Sequence, residues 1–360
     1  MKAVILVGGQ GTRMRPLTLK TPKPLLPIAN VAFIERQVRW LAKYGVTEVI
    51  LSMGYMPDEF ETYFKSNPIP GVFIDFAVEK DALGTAGAIK FAAGSIEEDI
   101  LVCNGDVYTN LEISELLEFH NSRNSIATIA LTYVEDPSAF GVVPTHADGE
   151  VIAFVEKPPI ETAPSHWINA GIYVLTPEFL ELIPDGVNCS IEREVFPRAL
   201  EASSMYALES DSYWLDIGTP LQYLRAHSDF LDSIEERLDG EHLQEIKPGL
   251  FSDGDVEIGE GVIVKSNSIV GAGSIIGDRC ILTGCTLGGR CIVENDVEIS
   301  NSVIFSGSRL GSGSFLDSSV IGNSCDLGEN VQIRDQSLVG DHEKINPGTN
   351  LYGERLSTVV

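Results

Sequence analysis

Two hydrophobic rhythms divide this chain of 360 residues. Through about residue 230, short apolar runs alternate with segments of helical spacing. Residues 3–7, 48–53, 73–78 and 100–103 are apolar runs broken by turn residues and read as strands. Residues 33–44, 57–65 and 86–93 read as helices; in the first, Phe33, Ile34, Val38, Leu41 and Ala42 recur near helical spacing and Gly45 stops the helix. Further strands are predicted at 126–132, 141–143, 151–155 and 168–175, with helices at 113–121, 192–202 and 220–231. Strand followed by helix predicts an α/β domain with a mostly parallel sheet covered on both faces.

Around residues 233–248 the chain becomes charged and loses its apolar rhythm, which reads as a linker with a short helix. A second rhythm then takes over, with aliphatic residues at Ile258, Val264, Val270, Ile276, Leu282, then Leu287, Val293, Ile299, then Ile304, Leu310, Leu316, then Ile321, Leu327, Ile333, Val339 and Ile345. The step is six, with three slips to five. Two places before most of these stands a small or modest side chain, such as Ser268, Ser274, Cys280 or Val297. An inward pair per short face, with Gly, Asn or Asp at many corners, predicts a solenoid of parallel strands with triangular section and about five coils. The expected organisation is an α/β domain over 1–232, a linker over 233–250, the solenoid over 251–345 and a tail over 346–360 that covers its open end. One solenoid flank is expected to pack on the α/β domain and another on a second subunit.

Charge narrows the function. The formal net charge of −27 repels a nucleic-acid backbone, so nucleic acid is not the expected partner. It also repels a nucleoside triphosphate, so a phosphate site must gather its cations locally and use a divalent metal. No run of eighteen apolar residues occurs and the N-terminus carries no leader pattern, so no membrane association and a cytoplasmic location are expected. The six cysteines lack Cys-x-x-Cys spacing and predict reduced thiols; Cys280, Cys285, Cys291 and Cys325 fall on the inward rhythm as core fillers, not zinc ligands.

The candidate chemistry starts at the first strand, which runs into Gly8-Gly9-Gln10-Gly11-Thr12-Arg13-Met14-Arg15-Pro16. Glycines after a buried strand offer backbone N–H groups, and two arginines add positive charge, a combination suited to polyphosphate. Lys23 sits among Pro22, Pro24 and Pro27, a stiff platform for one ammonium. Asp106 ends a central strand and Asp216 precedes a helix start at Thr219-Pro220; two such carboxylates can share one Mg²⁺, and either can instead cap a helix or close a turn. Leu83-Gly84-Thr85 opens a helix at a sheet edge. Glu156 and Lys157 stand together at a strand end, suited to a sugar hydroxyl and a phosphate, and Asn169 adds an amide able to donate and accept.

Together these residues resemble the sugar-nucleotide pyrophosphorylases, above all the mannose-1-phosphate guanylyltransferases. The matching segments are the opening signature from Gly8 to Thr18, Pro22-Lys23-Pro24-Leu25, Leu83-Gly84-Thr85-Ala86-Gly87, Asn104-Gly105-Asp106, Phe140-Gly141-Val142-Val143, Phe154 to Pro158, Asn169-Ala170-Gly171 and Ser190 to Pro197. The resemblance covers the whole chain, since this family often carries a C-terminal left-handed β-helix of hexapeptide repeats. It implies a Rossmann-like nucleotidyltransferase domain in which Leu6, Gly8, Gly9, Gly11, Thr12, Gly84 and Thr85 bind the nucleotide. Arg13 and Lys23 would take the triphosphate, and Asp106 and Asp216 would hold Mg²⁺. Gly141, Glu156, Lys157, Asn169 and Gly171 would line the sugar-phosphate pocket.

The implied reaction joins GTP and mannose 1-phosphate into GDP-mannose and pyrophosphate. A glucose-1-phosphate nucleotidyltransferase using dTTP, UTP or ATP is the alternative, because modest substitutions separate these relatives. A non-catalytic regulatory or scaffold subunit is the second, opposed by the intact Arg13, Lys23, Asp106 and Asp216. Acyl transfer, known on period-six solenoids, is disfavoured because the repeats offer only His342. A homo-oligomer is expected, with a dimer favoured by general frequency.

Overall fold

The computed structural model describes residues 1–202, 204–234 and 243–358. In chain order it opens with β1 (Lys2–Leu6), β2 (Pro27–Ile28), β3 (Val31–Ala32), α1 (Phe33–Lys43), β4 (Glu48–Met53), α2 (Pro57–Ser66), β5 (Phe73–Val78), α3 (Gly84–Ala93), β6 (Ile100–Asn104) and β7 (Val107–Thr109). There follow α4 (Ile113–Arg123), β8 (Ala127–Tyr133), β9 (Gly141–Val142), β10 (Val155–Glu156), β11 (Trp167–Leu175), α5 (Pro177–Glu181), α6 (Phe196–Ala202), β12 (Tyr206–Ser210), β13 (Trp214–Asp216) and α7 (Pro220–Asp232). The chain forms two compact units that do not follow chain order: Met1–Gln10 with Ile34–Asp216, and Gly11–Phe33 with Ile217–Val360. The opening signature is therefore divided between them after Gln10.

The first unit holds a nine-stranded mixed sheet in the order β10-β9-β11-β6-β1-β4-β5, with β8 on β11 and β12 on β8. The strands β5, β4, β1 and β6 run parallel, as the alternation of strand and helix predicts. β11 returns antiparallel to β6, β8 and β9, because no crossover helix separates it from β8. Val4, Val102, Ile129, Tyr173, Phe179 and Phe196 belong to the buried core of this unit. The strand predicted at 151–155 shrinks to β10, with Val151 making only an isolated bridge to Thr145. The helix predicted from 192 begins as a π-turn over Ile191–Val195 before α6; Pro197 has no N–H with which to continue an α ladder to residue 193.

In the second unit the six-residue rhythm becomes a parallel β-helix with three ladders, one on each face. Its interior is a column of aliphatic side chains with the thiols of Cys280, Cys285, Cys291 and Cys325 among them. All six cysteines are free and buried. Burial pushes the thiols of Cys285, Cys291 and Cys325 up to about 11, so they stay neutral donors; the Cys291 thiol donates to the Phe305 carbonyl at 3.3 Å. The three slips to five fall at one corner of successive coils, where Gly284, Asn301 and Ser318 have φ of 55°, 46° and 48°. A single left-handed residue shortens that corner; in the next coil Asp335 and Gln336 both take positive φ and the full step of six returns.

The solenoid extends beyond residue 345: Asn350–Tyr352 and Arg355–Leu356 add strands to two of the ladders, so most of the segment expected as a tail is a further coil. At the other end Gln244–Lys247 pairs antiparallel with Leu250–Ser252, so the end of the expected linker is already a hairpin of the solenoid. Residues 235–242, the middle of the linker in which a short helix is expected, lie outside the described residues.

One flank of the β-helix differs from the other two. Its outward row, in register through Ile269, Thr286, Val303, Val320 and Leu338, is buried throughout. On a neighbouring flank the outward Ile275 and Ile292 are 41% and 44% exposed. Hydrogen bonds show what lies on the buried flank: Asn30 donates to the Leu287 carbonyl at 2.8 Å, His227 Nδ1 lies 3.3 Å from the Thr286 hydroxyl, and Asn267 donates to the Leu231 carbonyl at 3.1 Å. The solenoid is thus the bed for α7 and for the segment from Gly11 to Phe33.

Candidate active site

In the first unit, Leu6 of β1 is in register with Asn104 of β6, so the glycines after one strand lie beside Asn104-Gly105-Asp106 after the other. Gly105 allows this approach: its N–H donates to the Leu6 carbonyl at 2.9 Å, and a Cβ there would lie 2.6 Å from that oxygen. Gly8 and Gly9 need no positive φ, and an added Cβ at Gly9 would meet no heavy atom within 4 Å. Packing does not require these two glycines, which instead leave the backbone open to close approach.

Asp106 leads into β7, which pairs antiparallel with β13 so that Asp216 faces Val107. Asp106, in the turn just before β7, is therefore one residue from the partner of Asp216. Thr109 fastens the ribbon by donating to the Tyr213 carbonyl at 2.7 Å. Among the described residues no group of three His, Cys, Asp or Glu side chains gathers as a metal site. Two hard carboxylates suit Mg²⁺, which usually takes one or two and fills its remaining positions with water and substrate phosphate oxygens.

The sheet forks beside this ribbon. β11 pairs with β6 up to Ile172 and with β9 at Ile168, so Asn169, Ala170 and Gly171 lie where the partner changes. Gly171 has φ +74°, and a Cβ there would lie 2.6 Å from Asn104 Nδ2. Asn169 accepts from the Gly171 N–H at 2.9 Å and donates to the Tyr173 hydroxyl at 2.8 Å. Burial, with Glu192 nearby, pushes the Tyr173 phenol well up, so it stays neutral. Trp214 Nε1 donates to the Ala170 carbonyl at 2.9 Å, tying the aspartate ribbon to the fork.

Glu156 is in register with Gly141, where an added Cβ would strike the Phe154 ring at 2.5 Å. The Glu156 carboxylate lies 3.4 Å from Lys157 and 4.0 Å from Arg193. The strands β9, β10 and β11 thus bring Gly141, Glu156, Lys157, Asn169 and Gly171 to one end of the sheet.

Gly84 and Thr85 open α3 against the chain near residue 190. A Cβ on Gly84 would lie 2.6 Å from the Cys189 carbonyl oxygen. The Thr85 hydroxyl donates to Glu192 at 2.9 Å and accepts from the Ile191 N–H at 2.8 Å, so it is engaged by its own chain. Glu79 accepts from the Leu83 N–H at 2.9 Å and holds the entry to the helix. Glu79 and Trp214 carry no signal of their own in the sequence, and Glu192 and Arg193 stand out only within the block from Ser190 to Pro197. Pairing of Thr85 with Ile191 and Glu192 across about a hundred residues has no local periodic signal.

The candidate cations Arg13 and Lys23 belong to the second unit. Gly11 has φ +59°, and a Cβ on it would lie 3.0 Å from Lys23 Cβ, so the glycine seats the turn Thr12–Met14 against the lysine. Thr18 donates to the Gly11 carbonyl at 2.8 Å. Lys23, buried, begins the turn Lys23–Leu25. The proline platform is anchored on α7: the Pro27 carbonyl accepts from Tyr223 and lies 3.1 Å from His227 Nε2.

Comparison with known proteins fits this layout. The Nucleotidyl transferase family matches residues 2–233, and the EIF2B subunit epsilon LbH domain matches residues 247–351. The mannose-1-phosphate guanylyltransferase of Mycobacterium tuberculosis is 38% identical over 81% of this chain and 82% of its own. A mannose-1-phosphate guanyltransferase of Yarrowia lipolytica is 42% identical over 66% of each. Among solved structures, HddC from Yersinia pseudotuberculosis complexed with GMP-PN is 32% identical with a TM-score of 0.55, covering 64% of this chain and 99% of HddC. Among the described residues no helix is long and apolar enough to cross a membrane. With a family match over most of its length and relatives this similar across both parts, the chain belongs to the nucleotidyl transferase family.

Proposed function

We propose that this chain transfers a guanylyl group from GTP to mannose 1-phosphate, releasing pyrophosphate and forming GDP-mannose. The observation that carries this reading is the β7–β13 ribbon, which sets Asp106 beside Asp216 and is tied through Trp214 to the fork at Asn169–Gly171. The names of the most similar relatives support the choice of base and sugar.

A phosphate oxygen of mannose 1-phosphate attacks the α-phosphorus of GTP in line. The bond from that phosphorus to the bridging oxygen breaks, and pyrophosphate leaves on the opposite side. The phosphate dianion is already a nucleophile, so the protein supplies position and neutralising charge. Lys157 takes the sugar phosphate, while Glu156 and Asn169 accept from and donate to sugar hydroxyls. Gly8 and Gly9, with Leu6, Gly11, Thr12 and the backbone at Gly84 and Thr85, receive the nucleoside. Arg13 and Lys23 neutralise the triphosphate and then the departing pyrophosphate. Mg²⁺ held by Asp106 and Asp216 would supply charge neutralisation at the reacting phosphates.

A matrix of mannose, glucose and N-acetylglucosamine 1-phosphates against GTP, dTTP, UTP and ATP tests the assignment. GTP with mannose 1-phosphate is expected to give the highest kcat/KM. Preference for another pair would reassign the substrates, and no product with any pair would overturn the reading.

A further inference from the structure

The last strand of the solenoid places a charged residue at the end of an otherwise uncharged, buried row. Arg355 is in register with Leu338 and so continues the buried outward row that runs from Ile269. It is exposed, and its guanidinium turns to the opening signature: Nη1 donates to the Arg13 carbonyl at 2.7 Å and to the Arg15 carbonyl at 3.0 Å. These carbonyls lie on either side of Met14 at the end of the turn that carries Arg13. A Cβ on Gly340 in the same flank would come 3.3 Å from Pro16 Cβ, so the solenoid backbone also passes close behind the signature. A guanidinium bonded to two nearby carbonyls restricts the backbone between them, and such charge-assisted bonds are stronger than neutral ones.

We propose that Arg355 is a positioning residue for the nucleotide, acting through the backbone of Arg13 and Arg15 and not touching substrate itself. The terminal coil of the β-helix then sets how well the triphosphate is gripped. This rests on the reading of Arg13 as a triphosphate contact. The effect should be specific to the nucleotide, since Arg355 bonds the segment that carries Arg13 and the sugar-phosphate residues are on other strands.

Arg355→Ala and Arg355→Lys in the full chain test the proposal. For the alanine variant, KM for GTP should rise about tenfold, with KM for mannose 1-phosphate changed by less than about twofold; the lysine variant, which keeps a charged donor, should recover most of the loss. Hydrogen exchange gives a readout that needs no turnover: amides of residues 11–18 should exchange faster in the alanine variant while those of the preceding coils stay as protected as in the unmodified chain. Unchanged exchange in that segment, or equal rises in both KM values, would overturn the proposal. If the unmodified chain makes no product while the exchange difference is present, the clamp stands and the proposed reaction fails.

Discussion

Gly105 and Leu6 approach so closely that a methyl group on the first would sit 2.6 Å from the carbonyl oxygen of the second and 2.7 Å from Val7 Cγ1. No rotamer change relieves a contact with backbone, so Gly105→Ala must push β1 and the Asp106 turn apart. The expected result is a loss of about 1–3 kcal/mol in stability. Activity should fall by more than the loss of folded protein explains, measured by thermal unfolding alongside turnover per folded molecule. Wild-type stability and turnover would show that this close approach does not set the position of Asp106.

Two of the outward isoleucines of the β-helix make a paired test of which flank is covered. Ile269 is fully buried and Ile275 is 41% exposed, although both point away from the solenoid core. Ile269→Glu should destabilise by about 3 kcal/mol or more through an unpaired buried carboxylate, while Ile275→Glu should stay within about 0.5 kcal/mol. Denaturant unfolding of the two variants, followed in the same buffer, decides it; equal effects would contradict the assignment of the buried flank.

These two sites also mark the limit of what the sequence discloses. The repeat of inward residues was legible from Ile258 to Ile345 because a packed interior demands the same side-chain size at each step, whereas the last coil, with its inward Leu351, read as a tail. The covered flank was written in the same segment, as Ile269, Val303, Val320 and Leu338 each one place before an inward aliphatic residue, yet alternation alone does not say whether an outward isoleucine meets protein or water. Strand and helix positions in the sheet unit were readable from apolar runs, whereas the antiparallel return of β11 and the fork at Asn169 depend on long-range pairing. Asp106 and Asp216 could be nominated from their places at element ends. Their adjacency came only with the pairing of β7 and β13, and the bond from Arg355 to residues more than three hundred positions earlier leaves no local trace.

His120 makes stability depend on pH. Its ring is buried, with Nδ1 2.8 Å from the Thr128 hydroxyl and Nε2 3.4 Å from Asp99. Burial pulls its pKa below the ordinary value of 6.5, and the Asp99 carboxylate opposes that shift without reversing it. The unfolded chain therefore takes up this proton at higher pH than the folded one. The contribution from His120 is fully present above 6.5 and is lost as pH falls from there toward the lower folded value. In His120→Gln, the loss of melting temperature between about pH 7 and pH 5 should be smaller than in the unmodified chain. An identical decline in both proteins would remove His120 as its source.

We propose that the Asp106 and Asp216 ribbon is where pyrophosphate is released from a nucleoside triphosphate. The rate of pyrophosphate release from GTP, mannose 1-phosphate and Mg²⁺, measured side by side for the unmodified chain and for Asp106→Asn with matching circular dichroism, decides this. One pyrophosphate is expected for each GDP-mannose formed by the unmodified chain, with a rate lower by about a hundredfold or more in the variant. An Asp106→Asn protein that releases pyrophosphate as fast as the unmodified chain would contradict it.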